Sequence, residues 1–262
     1  MKLPIYQVDA FTNQLFRGNP AAVCPLETWL PDDLLQNIAL ENNLSETAFY
    51  VDNGNRYHLR WFTPLVEVDL CGHATLATAF VIFHLNKENR GPIYFDTLSG
   101  ELVVNKKESY LTLDFPSDEM AEVTAPRELT NALSITPSVT FKGKTDYMLV
   151  LDSQKEVETL SPDFGLLAKT PARAVIVTAP GEEVDFVSRV FAPNCGVNED
   201  PVTGSAHTTL TPYWSKVLEK KDLNARQLSA RGGEIHCKYL GNRVTLTGQA
   251  RLYLQGRIET EA

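Results

Sequence analysis

Residues 60–80, RWFTPLVEVDLCGHATLATAF, return in altered form at residues 189–210, RVFAPNCGVNEDPVTGSAHTTL. Each copy opens Arg-x-Phe-x-Pro, falls through an acidic segment to Gly-x-Ala, and runs into helix-forming residues. A second match follows: LSGELVVNKKESYLTLDF (residues 98–115) parallels LSARGGEIHCKYLGNRVTLTG (residues 228–248). The spacing is nearly constant. Gly72 lies 29 positions before Glu101, and Gly204 lies 30 before Glu234. Arg60 precedes Gly72 by 12 and Arg189 precedes Gly204 by 15, so the second copy carries three extra residues ahead of its glycine. Ordered matches at fixed spacing are the signature of a repeated structural unit. The expected halves are residues 1–118 and 119–262, joined through FPSDEMAEVTAP, with the active site expected in a cleft between them.

The elements expected in each half fit that duplication. PIYQVDAF, ETAFYVD, YHLRWFT, GPIYFDT, GELVVNK and SYLTLDF read as strands by alternation or by β-branched and aromatic content. LPDDLLQNIALENN reads as an amphipathic helix, with Asp32 and Asp33 in its first turn and Leu34, Leu35 and Ile38 as its apolar stripe. GHATLATAFVIFHLNK is apolar almost all round and so is expected to be buried. In the second copy, SAHTTLTPYWSKVLEKK carries Pro212, which predicts a kink, because proline lacks the amide hydrogen and clashes with the preceding turn. One buried helix among many strands, twice, predicts an α+β fold in which each half is a β-sheet wrapped round a central helix.

The 262 residues are 43% apolar and 22% charged, the balance of a globular protein. A formal net charge of -9 with no Lys/Arg cluster argues against nucleic acid, whose phosphates call for a basic surface. No apolar run approaches the ~20 residues of a membrane span. MKLPIYQVDAFT lacks the apolar core of a signal peptide, and the expected location is the cytoplasm. Cys24, Cys71, Cys195 and Cys237 match neither CxxC nor a zinc spacing, so free thiols are expected.

The chemistry gathers at the two glycines. Gly72 and Gly204 are expected to start helices. The first amides of a helix point outward unsatisfied at the positive end of its dipole, which suits a carboxylate. His73, Asp200 and Ser205 lie beside these starts. Glu46, in NNLSETAFYV, meets an apolar strand directly, and the other half offers KTPARAVIVTA, which sets Arg173 against it. An acid present in one half only fits a single-base proton shuttle.

The segments DAFTNQLFRGNPAAVC, NNLSETAF, RWFTPLVEVDLCGHAT and NEDPVTGSAH, in that order, resemble the PhzF family of phenazine-biosynthesis-like proteins. The resemblance implies the diaminopimelate epimerase fold of two pseudo-symmetric halves, each a β-barrel-like sheet round a central helix. It implies a cofactor-independent isomerase that moves a proton between carbons of a small carboxylate-bearing substrate, as a homodimer, with no metal. Matched by motif, Glu46 is the general acid/base, with His73, Asp200 and Ser205 as its catalytic companions. Asn19, Ser45, Gly72, Thr203 and Gly204 are the expected substrate-binding positions. The fold's epimerases and racemases place a cysteine before each glycine as two opposed bases. Here those positions hold Cys71 and Thr203, and threonine is no base at neutral pH. Cys71 is read as an inert buried thiol.

Three rival readings draw on the same residues. A serine hydrolase would use Ser205, His207 and Asp200, but no GxSxG elbow is present. A metal enzyme would use His73, Asp200 and His207, but no paired-ligand spacing is present. A non-catalytic small-acid binding protein would keep the cleft without the chemistry. Neither GxGxxG nor GxxxxGK[ST] occurs, so no nucleotide cofactor is expected.

Overall fold

The structure is a computed structural model describing residues 1–86 and 91–261. Lys87, the end of the expected buried helix, lies outside the described residues. The chain divides into two compact units, Met1–Phe115 with Thr245–Ala262, and Pro116–Val244. In chain order the first unit holds β1 (Lys2–Ala10), β2 (Asn19–Leu26), α1 (Asp32–Asn42), β3 (Glu46–Asp52), β4 (Tyr57–Phe62), β5 (Glu67–Val68), α2 (Gly72–Leu85), β6 (Ile93–Thr97), β7 (Gly100–Lys107) and β8 (Tyr110–Pro116). The second holds β9 (Ala121–Val123), α3 (Arg127–Leu133), β10 (Val139–Lys142), β11 (Tyr147–Val150), α4 (Gln154–Glu158), α5 (Phe164–Leu167), β12 (Val175–Pro180), β13 (Phe186–Ala192), β14 (Val197–Asp200), α6 (Gly204–Val217), β15 (Asp222–Gln227) and β16 (Gly233–Tyr239). Next come β17 (Arg243–Gly248), which straddles the boundary, and β18 (Ala250–Glu259).

Strand pairing repeats between the units. β1–β2 and β10–β11 are antiparallel, and β2–β3 and β11–β12 are parallel. The ladders β3–β4 and β12–β13 are antiparallel, and β4–β6 and β13–β15 are parallel. One element departs from the expected boundary at residue 119. β18 pairs along the whole of β1, from Lys2↔Glu259 to Ala10↔Ala250, which places the chain's last stretch in the first unit. Such long-range pairing leaves no mark in local sequence.

Each unit buries both faces of its central strand, as its unbroken apolar run predicts for a strand beside a parallel neighbour. Phe49 and Val51 of β3 join Leu35, Ile38 and Ala39 of α1 in one core cluster. Val175, Val177 and Ala179 of β12 join Leu129, Val157 and Leu167 of the short helices in another. The opposite face of the first unit's sheet receives α2, which is buried along almost its whole length against β1, β2, β3 and β18. Polar residues survive on these buried helices by bonding their own backbone one turn back. Thr75 and Thr78 donate to Cys71 O and Ala74 O at 2.6 and 2.7 Å, and Thr211 donates to His207 O at 2.6 Å. α6 runs as one helix through Pro212. The proline leaves the Thr208 carbonyl without an intrahelical donor, and the Asp118 amide donates to it at 3.2 Å.

The repeated Arg-x-Phe is a structural clamp. Residues two apart on a strand share a face, and Arg60 lies 5.1 Å over Phe62 as Arg189 lies 5.0 Å over Phe191. Each arginine then grips a glutamate with both arms of its fork. Arg60 holds Glu67 at 2.7 and 2.7 Å, and Arg189 holds Glu199 at 2.7 and 2.9 Å. Both glutamates lie five positions before the helix glycine. The three extra residues therefore fall between arginine and glutamate, where the second unit makes a 3₁₀ turn over Pro193–Cys195 closed by Gly196 at φ +81°.

Gly18 delivers the chain into β2. Its φ is +67°, and a Cβ there would lie 2.2 Å from Ala10 O. Gly18→Ala is expected to lower stability by about 2 kcal/mol or more, read by chemical denaturation, since a side chain is strained at positive φ and here also clashes. Unchanged stability would contradict this account of the turn.

Candidate active site

The first unit assembles three polar side chains around His73. Asn19 begins β2, Glu46 begins β3, Cys71 is the N-cap of α2 in extended conformation, and Gly72 and His73 are its first two residues. No side chain caps α2. His73 is buried, with 4% side-chain exposure, and both ring nitrogens are engaged. Nδ1 lies 3.1 Å from Asn19 Nδ2 and 3.5 Å from Cys71 Sγ. Nε2 lies 3.2 Å from Glu46 Oε2, an ion pair in distance whose angles fall short of a hydrogen bond. Glu46 keeps 18% side-chain exposure, so the carboxyl is sheltered yet reachable. Ser45 precedes it, half-buried.

Charge in this cluster is one-sided. Burial disfavours an imidazolium at His73, but the adjoining Cys71 sulfur and Glu46 carboxylate outweigh it and hold the ring's pKa well above the ordinary histidine value. Burial, helped by Glu46, pushes the Cys71 thiol up to about 11, although His73 and the Ala74 amide pull the other way. The sulfur therefore keeps its proton at neutral pH. The burial of Cys71 matches the reading from sequence. A carboxylate oxygen, a sulfur and a ring nitrogen of Glu46, Cys71 and His73 lie within 4.8 Å of one another, the one such grouping among the described residues. A cation there would require Cys71 to lose that proton. All four cysteines are free.

The second unit repeats the scaffold with other side chains. Thr203 is the extended N-cap of α6, Gly204 its first residue and Ser205 its second, matching Cys71, Gly72 and His73 position for position. The N-cap segment is pinned by Gln227, a buried residue that sequence reasoning missed. Its Oε1 accepts from Thr203 N at 2.8 Å, while its Nε2 donates to Asp200 O at 2.6 Å and to Thr203 Oγ1 at 3.1 Å. Thr203 Oγ1 in turn donates to Asp200 Oδ2 at 2.5 Å. Asp200 and Thr203 thus form one hydrogen-bonded turn ahead of the helix.

Strand register corrects one correspondence. Thr47 pairs with Phe62 and Val175 with Phe191. Since Phe62 and Phe191 are the same position of the repeated motif, Thr47 matches Val175, and Glu46 matches Ala174 rather than Arg173. A slip of one residue moves a side chain to the other face of a sheet. The acid is still confined to one half. Arg173 itself donates from Nη2 to Ser205 Oγ at 3.2 Å and grips Asp146, a second pair that sequence reasoning did not assign to the site.

The hydrolase reading finds no relay. Ser205 Oγ receives Arg173, Asp200 accepts from Thr203, and His207 Nδ1 lies 2.8 Å from Thr203 O, where only a protonated Nδ1 can donate. His207 is a neutral core residue. Burial pushes its pKa down to about 4, against the Thr203 bond.

Comparison with known proteins follows this geometry. A family profile, PhzC-PhzF, described as phenazine biosynthesis-like protein, matches residues 8–256. An uncharacterized isomerase of Pseudomonas aeruginosa is 52% identical over 258 residues, covering 98% of this chain and 99% of that one. A crystal structure of a phenazine biosynthesis protein of the PhzF family from Enterococcus faecalis superposes with a TM-score of 0.95 at 48% identity, covering 99% and 100% of the two chains. A hydroxyproline epimerase from Agrobacterium vitis shares the fold alone, with a TM-score of 0.62 at 10% identity over 98% and 92%. The fold is therefore the epimerase-like α+β fold of two like halves, and isomerase activity is the general function these relatives support. No helix among the described residues is long and apolar enough to cross a membrane.

Two pH responses follow. The raised pKa of His73 means that its contribution to stability is fully present below about 6.5 and is lost as pH rises through the folded value. Glu46→Gln removes the facing anion, so the His73 ring, followed by NMR titration, should lose its proton at lower pH than in the wild type; an unchanged midpoint would contradict the pairing. His207 runs the opposite way. Its depressed pKa predicts that stability falls as pH drops from about 6.5 towards 4, by about 3 kcal/mol in all. His207→Gln should flatten that part of a stability–pH curve, and an unaltered curve would refute the assignment.

Proposed function

The chain belongs to the PhzC-PhzF family of phenazine biosynthesis-like proteins, and from that membership we propose a cofactor-independent isomerase that moves a proton between carbons of a small carboxylate-bearing substrate. Glu46 removes the proton and redelivers it. The observation that carries this reading is the Glu46–His73 pair at 3.2 Å, sheltered at the mouth of β3 beside an uncapped helix start. A sheltered carboxylate beside an imidazole is suited to exchanging a proton with a ligand. His73 holds the carboxylate in place between transfers. Asn19 fixes the ring from the other side, and Ser45 flanks the acid.

The second half supplies binding. Asp200 and Thr203 shape the turn before Gly204, and the amides of α6 with the Ser205 hydroxyl offer donors to the substrate's polar groups. In this reading the first unit carries the proton chemistry and the second carries groups that recognise polar atoms. The two-thiol racemase mechanism is not supported, because Cys71 keeps its proton and its counterpart is Thr203. The same membership carries the expectation of a homodimer. The alternative is a small-acid binding protein on the same scaffold.

The test is solvent-deuterium incorporation. Small cyclic and amino acids are incubated with wild type or Glu46→Gln in heavy water and read by mass spectrometry. An acid that exchanges with wild type should exchange about a hundredfold more slowly, or less, with Glu46→Gln, the usual scale for loss of a general acid/base. Equal exchange would remove Glu46 as the base. Exchange of no acid by wild type would favour the binding protein.

A further inference from the structure

Arg173 carries chemistry that the reading above leaves unused. Its Nε donates to Asp146 Oδ1 at 2.9 Å and its Nη2 to Asp146 Oδ2. Asp146 has 4% side-chain exposure, so the fork is anchored from inside the unit. Nη2 also donates to Ser205 Oγ at 3.2 Å. A guanidinium has five N–H donors. Asp146 and Ser205 take three of them, and Nη1, with the other two, makes no hydrogen bond to a described residue. The side chain nevertheless keeps 41% exposure. Asp146 and the nearby Asp200 help to keep it charged, against burial.

Its place in the repeat sharpens the point. In the first unit the second residue of the central helix, His73, is met by an acid from the start of β3, Glu46, at 3.2 Å. In the second unit the same helix position, Ser205, is met at 3.2 Å by Arg173 from the approach to β12. The duplicated motif carries an anion in one copy and a cation in the other, each presented to the second residue of an uncapped helix. A guanidinium is the side chain best matched to a carboxylate, because its planar fork can donate two parallel bonds.

We propose that Arg173 binds the substrate carboxylate through Nη1, together with the Ser205 hydroxyl, and so selects acids over their neutral analogues. The proposal rests on the reading of this chain as an isomerase of small acids, and it moves the carboxylate site from the helix termini alone to a named cation. Lysine in place of arginine would keep the charge and lose the two-pronged geometry. Glutamine would lose both.

The Arg173 Nε–Hε resonance of ¹⁵N-labelled wild type, assigned by its loss in Arg173→Lys, is followed while benzoate or the neutral benzamide is added. Benzoate should shift it saturably and benzamide should not. Arg173→Gln should weaken benzoate binding by about tenfold to a hundredfold, the range for loss of a hydrogen bond to a charged group, with Arg173→Lys between the two. Wild-type benzoate affinity in folded Arg173→Gln overturns the proposal, and so does a wild-type Arg173 resonance that ignores benzoate. If Arg173→Gln does not fold, the wild-type titration and Arg173→Lys decide. Deuterium exchange reads Glu46 and this titration reads Arg173, so either can fail while the other stands.

Discussion

A histidine buried at the second position of a helix has to find partners for both ring nitrogens, and that requirement organises the first unit. A buried imidazolium is tolerated only when paired. Glu46 meets Nε2, while Asn19 and Cys71 meet Nδ1. Each partner arrives by a separate device. The positive φ of Gly18 turns the chain so that Asn19 opens β2. The parallel register of β2 with β3 sets Glu46 opposite Ala21. The extended N-cap conformation places Cys71 beside the ring. The tautomer follows from the same contacts. With Asn19 Nδ2 donating, Nδ1 of the neutral ring accepts and Nε2 carries the proton on the side of Glu46.

The second unit keeps the frame and exchanges the occupants. Arg189 and Glu199 reproduce the Arg60–Glu67 clamp even though three residues have been inserted between them. The insertion is absorbed in a 3₁₀ turn, so the clamp still delivers the helix glycine at the same distance from its glutamate. The side chains at the helix mouth change. Thr203 bonds to Asp200 where Cys71 faces His73, and Arg173 reaches Ser205 where Glu46 reaches His73. Duplication conserved the backbone geometry that creates two helix termini. The side chains at the two termini then diverged, to His73 beside Glu46 in one and Ser205 beside Arg173 in the other.

Much of this was legible in the sequence. The strand segments, both buried helices, the glycine helix starts and the Cys71/Thr203 and His73/Ser205 correspondences could all be read, because periodicity and spacing are local properties. Three features were not legible, each for a physical reason. The return of β18 to β1 depends on pairing across nearly the whole chain. The counterpart of Glu46 is set by a strand register that both halves share, and alignment of loop residues misses it by a single step. Gln227 and Asp146 act because they are buried and hydrogen-bonded, and nothing in their neighbouring residues marks them. Pro212, expected to kink α6, sits within one helix, with the carbonyl it orphans taken by the Asp118 amide.

The central claim is that one acid, Glu46, both takes and returns the proton. It is tested most directly with an exchanging acid deuterated at the reacting carbon and incubated in ordinary water, by measuring the label at the new position of the first-formed product. A single-base shuttle predicts that a measurable fraction of the deuterium is carried from the old carbon to the new one. Product whose new position is filled entirely from solvent, at every stage of the first turnover, would contradict it and point to two separate bases.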